Sequence, residues 1–274
     1  MPLSTDDIKT DEPKLFLFVG PGDAGKSYAA SSFGYASETF GGKDKRPAYV
    51  IECDGRVHAL RSRPVVYDFF TNHDSSWRPG EGGAIAIINR LEELREKCVS
   101  TRSAPFHTLI APDSFTAFCA FCISDCMEDK TSGGRKIGGL KLPTIEDYGY
   151  ESEAVRQLMW EHLTDIKKYC NVIVTAHEVE KYKKVKTAPG APSESILDGF
   201  KILARDKISA GIPVKFDEIY HFLAKEKVSS TKSIRRSVVF QDELARTSFS
   251  KLTTTEAHDI SGQEFYKWWL EKIK

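Results

Sequence analysis

The 274-residue sequence has no apolar run that approaches the 18 residues needed to cross a membrane, and no excess of charge of either sign. Lysine and arginine together number 39, as do aspartate and glutamate, so the net charge is zero. A neutral chain gives no global argument for a nucleic acid or a membrane surface as its partner, and we expect no membrane partner. Any binding surface must therefore come from local segregation of charge.

The N-terminus and the cysteines argue against a secreted protein. Residues 1–7 are polar and acidic, whereas a secretory signal would be basic and then apolar. The six cysteines lie mostly inside apolar runs, which is typical of reduced, buried thiols rather than of a disulfide framework. We therefore expect a cytoplasmic protein. Cys119, Cys122 and Cys126 share one helix face, which leaves two interpretations open: core packing, or a metal site that still needs a fourth ligand.

Short apolar runs alternate with helix-like stretches along the chain. The predicted strands are Leu15–Val19, Ala48–Cys53, Val65–Phe70, Thr108–Ala111 and Val172–Thr175. The predicted helices are Lys26–Phe33, Ala84–Cys98, Phe115–Met127 and Ser152–Tyr169. This alternation predicts an α/β fold, with an open and mostly parallel sheet covered by helices on both faces.

Two segments interrupt the alternation and are predicted to be loops. Residues 129–150 contain paired glycines and four basic residues, and residues 178–200 contain a Lys-Tyr-Lys-Lys run followed by two prolines. The apolar pattern then changes to period two, so Phe216–Lys225 and Ile234–Gln241 predict an antiparallel hairpin that extends the sheet. Phe265–Leu270 predicts a terminal helix that buries its tryptophans against the body, or alternatively presents them to a partner.

The most specific motif is the segment Gly-Pro-Gly-Asp-Ala-Gly-Lys-Ser at residues 20–27. It follows an apolar strand and precedes a helix, which is the setting of a phosphate-binding P-loop. Glycines let successive backbone N–H groups face a phosphate, and the helix N-terminus adds partial positive charge. We expect Lys26 to hold the β- and γ-phosphates of ATP and Ser27 to ligate Mg²⁺. The residues predicted to contact the nucleotide are Gly20, Pro21, Gly22, Asp23, Ala24, Gly25, Lys26, Ser27 and Tyr28.

A P-loop needs a second acid that positions Mg²⁺, normally at the end of a buried strand. Asp113 follows such an apolar strand, so it is the second predicted metal residue. Pro112 precedes this acid, and proline has no backbone donor for a strand ladder. We therefore expect the hydrogen bonding of the strand to end at Ala111 and Asp113 to lie at the strand tip.

Hydrolysis also needs a group that orients or deprotonates water. Glu52 and Asp54 lie at the end of the second strand, at the edge where open α/β sheets place their ligands. Asp54 is the predicted base and Glu52 the second choice, with a cap on the following helix as the structural alternative. His177 ends another strand at the same edge, so it is the predicted γ-phosphate sensor, with a structural hydrogen bond as the alternative.

Together these segments resemble the RecA-like ATPase family, and in particular phage-type nucleotide-binding proteins with a RecA core, some of which are single-strand annealing or recombination proteins. The matching segments are Gly20–Ser27, Tyr49–Asp54, Val57–Leu60, Asp113–Thr116, Thr175–His177 and Gly211–Tyr220. The resemblance implies a doubly wound RecA-like domain at residues 14–250. An N-terminal tail at 1–13 would precede it, and a C-terminal helix at 251–274 would pack on the core.

The resemblance also implies roles for the site residues. ATP lies at the P-loop with Mg²⁺ near Ser27 and Asp113, the catalytic acid falls at Asp54, and the γ-phosphate contact falls at His177. In RecA-like rings and filaments a basic residue reaches the ATP of the neighbouring subunit. Arg246 has that position here, with a solvated surface arginine as the alternative, and we expect self-association as a ring or filament.

Local basic segments predict a nucleic-acid surface. Binding of single-stranded DNA needs a cationic track and faces on which bases stack, and Tyr182 within its lysine run combines the two. In the RecA family, two loops that correspond to residues 129–150 and 178–200 line the DNA path. The residues predicted to contact nucleic acid are Arg135, Lys136, Lys181, Tyr182, Lys183, Lys184 and Lys186.

The predicted function is an ATP hydrolase that single-stranded DNA stimulates and that acts in phage-type recombination or strand annealing, with the ATP state ordering the basic loops. We expect a single-strand-binding protein or another recombination partner, in the host cell cytoplasm if the chain is phage-encoded. Two alternatives remain open. One is an NTP-driven motor or regulatory ATPase that acts on a protein partner, for example in DNA packaging; the other is a nucleotide-binding switch with little turnover, or a small-molecule kinase.

Overall fold

Apolar runs of the sequence form the strands of one large sheet, and the stretches between them form helices. The computed structural model describes residues 12–55, 57–71, 82–128, 135–137, 140–186, 193–223, 226–227, 234–235, 237–239, 257–260 and 264–273. The strands are β1 (Leu15–Gly20), β2 (Ala48–Glu52), β3 (Val65–Phe69), β4 (Thr108–Asp113), β5 (Arg135–Ile137), β6 (Leu140–Leu142), β7 (Asn171–Lys186), β8 (Ser193–Ile202), β9 (Glu218–Phe222), β10 (Glu226–Lys227), β11 (Ile234–Arg235), β12 (Ser237–Val239) and β13 (Ala257–Asp259). The helices are α1 (Lys26–Ser31), α2 (Gly83–Thr101), α3 (Phe115–Glu128), α4 (Ile145–Arg156), α5 (Leu163–Lys167), α6 (Asp206–Gly211) and α7 (Phe265–Ile273).

Within the described residues, the main sheet has nine strands. Eight follow the order β13-β12-β9-β1-β7-β4-β2-β3, and β8 pairs with the outer half of β7. The strands from β9 to β3 in this order run parallel to their neighbours. Strand β12 pairs antiparallel with β9, and β13 pairs antiparallel with β12. The predicted fold class, a mostly parallel α/β sheet of the kind found in RecA-like cores with an antiparallel extension, is confirmed.

Helices cover both faces of the sheet because its central strands are apolar on both sides. Strand β1 places Val19 in one core cluster, together with residues of α2, α3 and α5, and places Phe16 and Phe18 in the other. Helix α7 completes the second cluster with Trp268 and Trp269, which are 4 % and 6 % exposed. The tryptophans therefore pack against the body. The domain boundaries proposed from the sequence stay a prediction.

Both segments predicted to be loops contain regular structure, so that prediction is wrong. Strand β7 continues to Lys186 and pairs antiparallel with β8, from Glu178 opposite Ile202 to Lys186 opposite Ser193. The other segment contains the hairpin of β5 and β6 and the first turns of α4. Cross-strand pairing supplies the backbone hydrogen bonds of these residues, which basic composition does not reveal.

Helix α4 begins at Ile145, well before the predicted start at Ser152. Its first turn is held by a reciprocal cap. The backbone N of Thr144 donates to Oδ2 of Asp147 at 2.6 Å, and the backbone N of Asp147 donates to Oγ1 of Thr144 at 3.4 Å. A π-helical turn at Gln157–His162 then joins α4 to α5.

Strand β4 continues through Pro112 to Asp113, so its hydrogen bonding does not end at Ala111 as predicted. After a register shift in the pairing with β2, the backbone N atoms of Cys53 and Asp54 donate to the carbonyl oxygen of Asp113, at 2.8 Å and 3.2 Å. The residues that follow β2 thus donate hydrogen bonds to the end of β4, although Pro112 has no backbone N–H of its own. Asp113 is the last residue of the strand, as predicted.

None of the described helices is long and apolar enough to cross a membrane. The cysteines of α3 that share one face include Cys119 and Cys122, which belong to the core cluster on the sheet. Burial raises the pKa of the Cys119 thiol well above its usual range. Within the described ranges, no group of three or more His, Cys, Asp or Glu residues has the arrangement of a metal site.

Candidate functional site

The loop between β1 and α1 needs glycine at both of its ends. A Cβ atom on Gly20 would lie 2.3 Å from the carbonyl oxygen of Phe222 in β9. Gly25 has a φ of 89°, in the left-handed region that favours glycine. Asp23, between the two, also has a positive φ, of 61°. The chain thereby turns tightly from the end of a buried strand into a helix, as a P-loop does.

The ammonium group of Lys26 lies inside this loop. The residue is 5 % exposed, and its Nζ donates to the carbonyl oxygens of Gly20 at 2.9 Å and Pro21 at 2.8 Å. The same Nζ lies 3.4 Å from Nδ1 of His177. A buried cation is costly unless polar groups hold it, and here two carbonyl oxygens do so. The charge is therefore positioned in the loop, where a phosphate oxygen can meet it.

The carboxylate of Asp113 joins hydroxyl groups from two other elements. Oγ of Ser27 in α1 donates to its Oδ1 at 2.9 Å, and the hydroxyl of Thr175 in β7 donates to the same oxygen. Asp113 is 3 % exposed. Burial raises the pKa of this carboxyl, and the hydrogen bonds from Thr175 and Ser27 act in the opposite direction.

Two further acids lie beside Asp113, at the end of β2. Glu52 is buried, and its Oε1 accepts a hydrogen bond from the backbone N of Asp54 at 3.2 Å. Oδ2 of Asp54 lies 3.3 Å from Nε2 of His177, whose backbone N donates to Oγ1 of Thr116 at 3.0 Å. The imidazole therefore lies between an ammonium and a carboxylate, with one ring nitrogen toward each.

The donor set of this site fits a magnesium nucleotide. Mg²⁺ prefers hydroxyl and carboxylate oxygens, and Ser27 and Asp113 bring one of each into contact. Lys26 supplies the cation that a P-loop directs at the terminal phosphates. Asp54 and His177 lie at the same edge, where a water that attacks the γ-phosphate would need a base. The arrangement is suited to binding a nucleoside triphosphate and to phosphoryl transfer.

One described residue that was predicted for the site, Tyr28, directs its side chain away from this cluster. The side chain of Tyr28 contacts the C-terminal part of the chain, because its hydroxyl donates to Oε1 of Glu264 at 3.3 Å. The guanidinium carbon of Arg63 lies 3.9 Å from the centroid of the Tyr28 ring. Arg246 lies outside the described residues.

The predicted nucleic-acid residues lie on two hairpins rather than on loops. Tyr182 in β7 is 56 % exposed, Lys184 is exposed, and Lys181 is half-buried. The hairpin of β7 and β8 continues beyond the part of β7 that pairs with β1. For four residues the structure describes only the strand position: Arg135 and Lys136 in β5, and Lys183 and Lys186 in β7.

Sequence reasoning missed two threonines that organise the site. Thr175 donates to Asp113, and Thr116 accepts from the backbone of His177. Thr175 lies two positions before His177 on one strand, so both side chains point to the same face, and this period-two spacing was the available signal. Thr116 lies in the first turn of α3 and carries no such signal.

A comparison with known families supports the same interpretation. The family model described as an AAA domain matches residues 12–251, which is most of the 274-residue chain. No curated protein matched the chain. The matched range includes the phosphate-binding loop, the acids at the ends of β2 and β4, and the histidine of β7. The chain belongs to the AAA domain family and is a P-loop nucleotide-binding ATPase domain.

Proposed function

We propose that the chain is a Mg²⁺-dependent, RecA-type ATPase that binds single-stranded DNA and acts in recombination or strand annealing of the phage type. One observation carries the proposal: β7 changes partners at the candidate nucleotide site. Up to His177 it pairs with β1, and from Glu178 onward it pairs with β8. A single strand therefore links the candidate γ-phosphate contact with the arm that presents Tyr182.

In the nucleotide part of the proposal, Lys26 binds the β- and γ-phosphates while Ser27 and Asp113 hold Mg²⁺. Mg²⁺ held by these two residues would neutralise charge on the phosphates. Asp54 orients the attacking water and accepts its proton, and the ring of His177 holds that carboxylate from 3.3 Å away. Because the other ring nitrogen of His177 faces Lys26, the histidine is in position to respond to the γ-phosphate.

In the DNA part of the proposal, the arm of β7 and β8 supplies a stacking face and cations. Tyr182 is 56 % exposed, and its hydroxyl donates to Glu180, which restrains the ring. Stacking of one base on such a ring contributes about 1–3 kcal/mol. Lys181 and Lys184 flank the ring in sequence and can pair with phosphates without distinguishing bases. We therefore expect salt-dependent binding of single strands with little sequence preference.

The strand also provides the coupling between the two parts. His177 and Tyr182 are five residues apart in β7, which is roughly 17 Å at about 3.3 Å per residue. The inner half of β7 lies between β1 and β4 in the sheet, whereas the arm pairs with β8. The inner half is therefore the rigid base of the arm. A change at His177 is transmitted along one strand, so the ATP state sets the order of the DNA-binding arm.

We further propose assembly into a ring or filament, in which Arg246 reaches the ATP of a neighbouring subunit. A single-strand-binding protein or other recombination partner delivers the single-stranded DNA. The outermost strand at the β3 side of the sheet supports self-association. Among the described strands, β3 is the last of the sheet, and it carries Val66, Tyr67 and Phe69, which are 52 %, 46 % and 37 % exposed. Apolar residues on an exposed sheet edge are typical of surfaces that pair with another chain.

The same edge favours a second candidate function. An exposed apolar strand also suits a protein partner, as expected for a motor or regulatory ATPase that remodels or moves another protein, for example in DNA packaging. In that case β3, rather than the arm that carries Tyr182, is the surface on which ATP hydrolysis acts.

ATP hydrolysis measured with and without single-stranded DNA, at two salt concentrations, tests the proposal. We expect stimulation by DNA that falls at the higher salt concentration, and loss of hydrolysis in Lys26→Ala. Lys97→Ala is the matched control, because Lys97 is an exposed lysine of α2. Hydrolysis that depends on Lys26 but is not stimulated by DNA would contradict the DNA part of the proposal and favour an ATPase that acts on a protein partner. Nucleotide binding without hydrolysis would identify a switch.

A further inference from the structure

A second cavity lies at the amino ends of the central strands, at the opposite end of the sheet from the P-loop. Its volume is about 650 Å³, within the range of about 300–1,000 Å³ that is usual for small-molecule sites. Thr108 and Asn171, which line it, are the first residues of β4 and β7. Asp113 is the last residue of β4, roughly 17 Å away at about 3.3 Å per residue. The proposed nucleotide chemistry does not use this cavity.

A buried histidine in the wall of this cavity has one ring nitrogen without a partner. His107 is 7 % exposed, and its Nδ1 lies 2.8 Å from Oγ1 of Thr108. Its Nε2 is buried and has no hydrogen-bond partner among the described residues. Burial lowers the pKa of His107 to about 4, so the ring is neutral at pH 7 and Nε2 offers one hydrogen bond. An unsatisfied buried polar atom is costly, and a ligand would satisfy it once the cavity wall shifts enough to open Nε2 to the cavity.

Positive charge exceeds negative charge on the cavity wall. Lys43, Arg46 and Lys267 line it, and Asp44 is the carboxylate among the described lining residues. Arg46 satisfies that carboxylate, because its Nε and terminal NH₂ donate to the two oxygens of Asp44 at 2.9 Å and 2.6 Å. The charge of the two lysines is therefore not balanced by Asp44, and the wall attracts an anion.

Aromatic rings supply the apolar part of the wall. Tyr35, Tyr169 and Tyr266 line the cavity, and they come from three separate parts of the chain. Nζ of Lys267 lies 5.9 Å from the centroid of the Tyr35 ring, so cation and ring are neighbours at the rim. Rings with a cation beside them favour a ligand that is both flat and negatively charged.

We infer that this cavity is a second ligand site, which binds a small aromatic phosphate. The ring of the ligand packs against the three tyrosines, and its dianion is attracted by Lys43 and Lys267. When the wall around the His107 ring shifts to admit it, a polar group on the ligand makes the hydrogen bond that Nε2 lacks. The site is separate from the P-loop, so its occupancy does not depend on whether the chain hydrolyses ATP or binds DNA.

Calorimetric titration of the full chain with phenyl phosphate tests the inference, with phenol and inorganic phosphate as partial ligands. We expect phenyl phosphate to bind more tightly than either partial ligand, and with the same affinity in wild type and Lys26→Ala. The double variant Lys43→Ala/Lys267→Ala should lower the affinity at least tenfold. Lys97→Ala, an exposed lysine outside the cavity, should leave it unchanged.

A histidine variant tests the buried part of the site. His107→Phe keeps a ring of similar size and removes the polar nitrogens, so we expect at least a threefold loss of affinity for a phenyl phosphate that carries a polar ring substituent, such as 4-hydroxyphenyl phosphate. Thermal unfolding of the same variant shows whether the loss of affinity comes from misfolding. If His107→Phe does not fold, the double variant Lys43→Ala/Lys267→Ala still tests the site. The inference is overturned if wild type does not bind phenyl phosphate, if Lys26→Ala abolishes binding, or if the lysine double variant binds as wild type does.

Discussion

Oγ of Ser27 lies 2.9 Å from Oδ1 of Asp113, although 86 residues separate the two in the chain. The sheet explains the contact. Strands β1 and β4 both neighbour β7, so the loop after β1 and the acid that ends β4 meet at one edge. Thr175 in β7 lies between them and donates to the same oxygen of Asp113. The two candidate Mg²⁺ ligands are therefore brought together by buried strands rather than by a flexible loop.

Replacement of Lys26 by alanine should lower the affinity for ATP by about 10- to 150-fold, because a hydrogen bond from a charged group contributes about 1.5–3 kcal/mol. Titration with a fluorescent ATP analogue in the presence of Mg²⁺ measures this loss. Lys97→Ala, which removes an exposed lysine of α2, should bind as wild type does. Unchanged affinity in Lys26→Ala would mean that the nucleotide binds outside the P-loop.

Replacement of Thr175 by valine should destabilise the protein by about 1–3 kcal/mol, because the buried carboxylate of Asp113 loses a donor while the side chain keeps its shape. Loss of that donor also raises the pKa of Asp113 further. Urea unfolding at pH 7 measures the change in the free energy of unfolding. Thr175→Ser keeps the hydroxyl and should lose clearly less. Equal stability of the valine variant and wild type contradicts this account of Asp113.

The ion pair of Arg63 and Glu264 should stabilise the packing of α7 on the core. Arg63 donates to both carboxylate oxygens of Glu264, at 3.0 Å and 2.6 Å, and its side chain is 6 % exposed. Arg63→Leu should cost about 3 kcal/mol, because it leaves a largely buried carboxylate without its guanidinium partner. In urea unfolding, the double variant Arg63→Leu/Glu264→Leu should lose less free energy of unfolding than the two single variants lose in sum. Additive losses would mean that the pair is not coupled.

His107 should make stability depend on pH between about 6.5 and 4. Burial lowers its pKa in the folded state to about 4, from an ordinary value of 6.5, so the unfolded chain binds a proton more readily. Stability from the neutral ring is complete above about pH 6.5 and is lost as the pH falls toward 4. Between pH 7 and pH 5 the free energy of unfolding should fall by about 2 kcal/mol more in wild type than in His107→Phe. Parallel falls in both proteins would contradict this assignment.

The sequence predicted the core of the site because its signals are local. The apolar runs that became β1, β2 and β4 are buried along their whole length. Strands β2 and β4 each end in a carboxylate, and β1 leads directly into the phosphate-binding loop. The position of Lys26 and Asp113 at the same end of the sheet could therefore be predicted from the sequence. The cap of Thr144 and Asp147 was also local, in the run Thr-Ile-Glu-Asp, and it marks the start of α4 that hydrophobic periodicity did not indicate.

The remaining features depend on contacts between distant segments. The outer half of β7 is rich in lysine and glutamate, so it has no apolar period, and its strand conformation comes from pairing with β8. Arg63 and Glu264 are 201 residues apart, and no pattern in the sequence connects them. The second cavity joins the first residues of β4 and β7 to a glycine turn and to α7, so only the folded chain reveals it.

The affinity for single-stranded DNA, measured by fluorescence anisotropy with and without ATP at one fixed salt concentration, tests the central claim most directly. Wild type should bind more tightly with ATP, and Tyr182→Phe, which keeps the stacking ring, should do the same. Tyr182→Ala should bind about 5- to 150-fold more weakly, as expected from the loss of about 1–3 kcal/mol of base stacking. If Tyr182→Ala binds as wild type does, or if ATP leaves the affinity of wild type unchanged, β7 does not couple the nucleotide site to a DNA-binding arm.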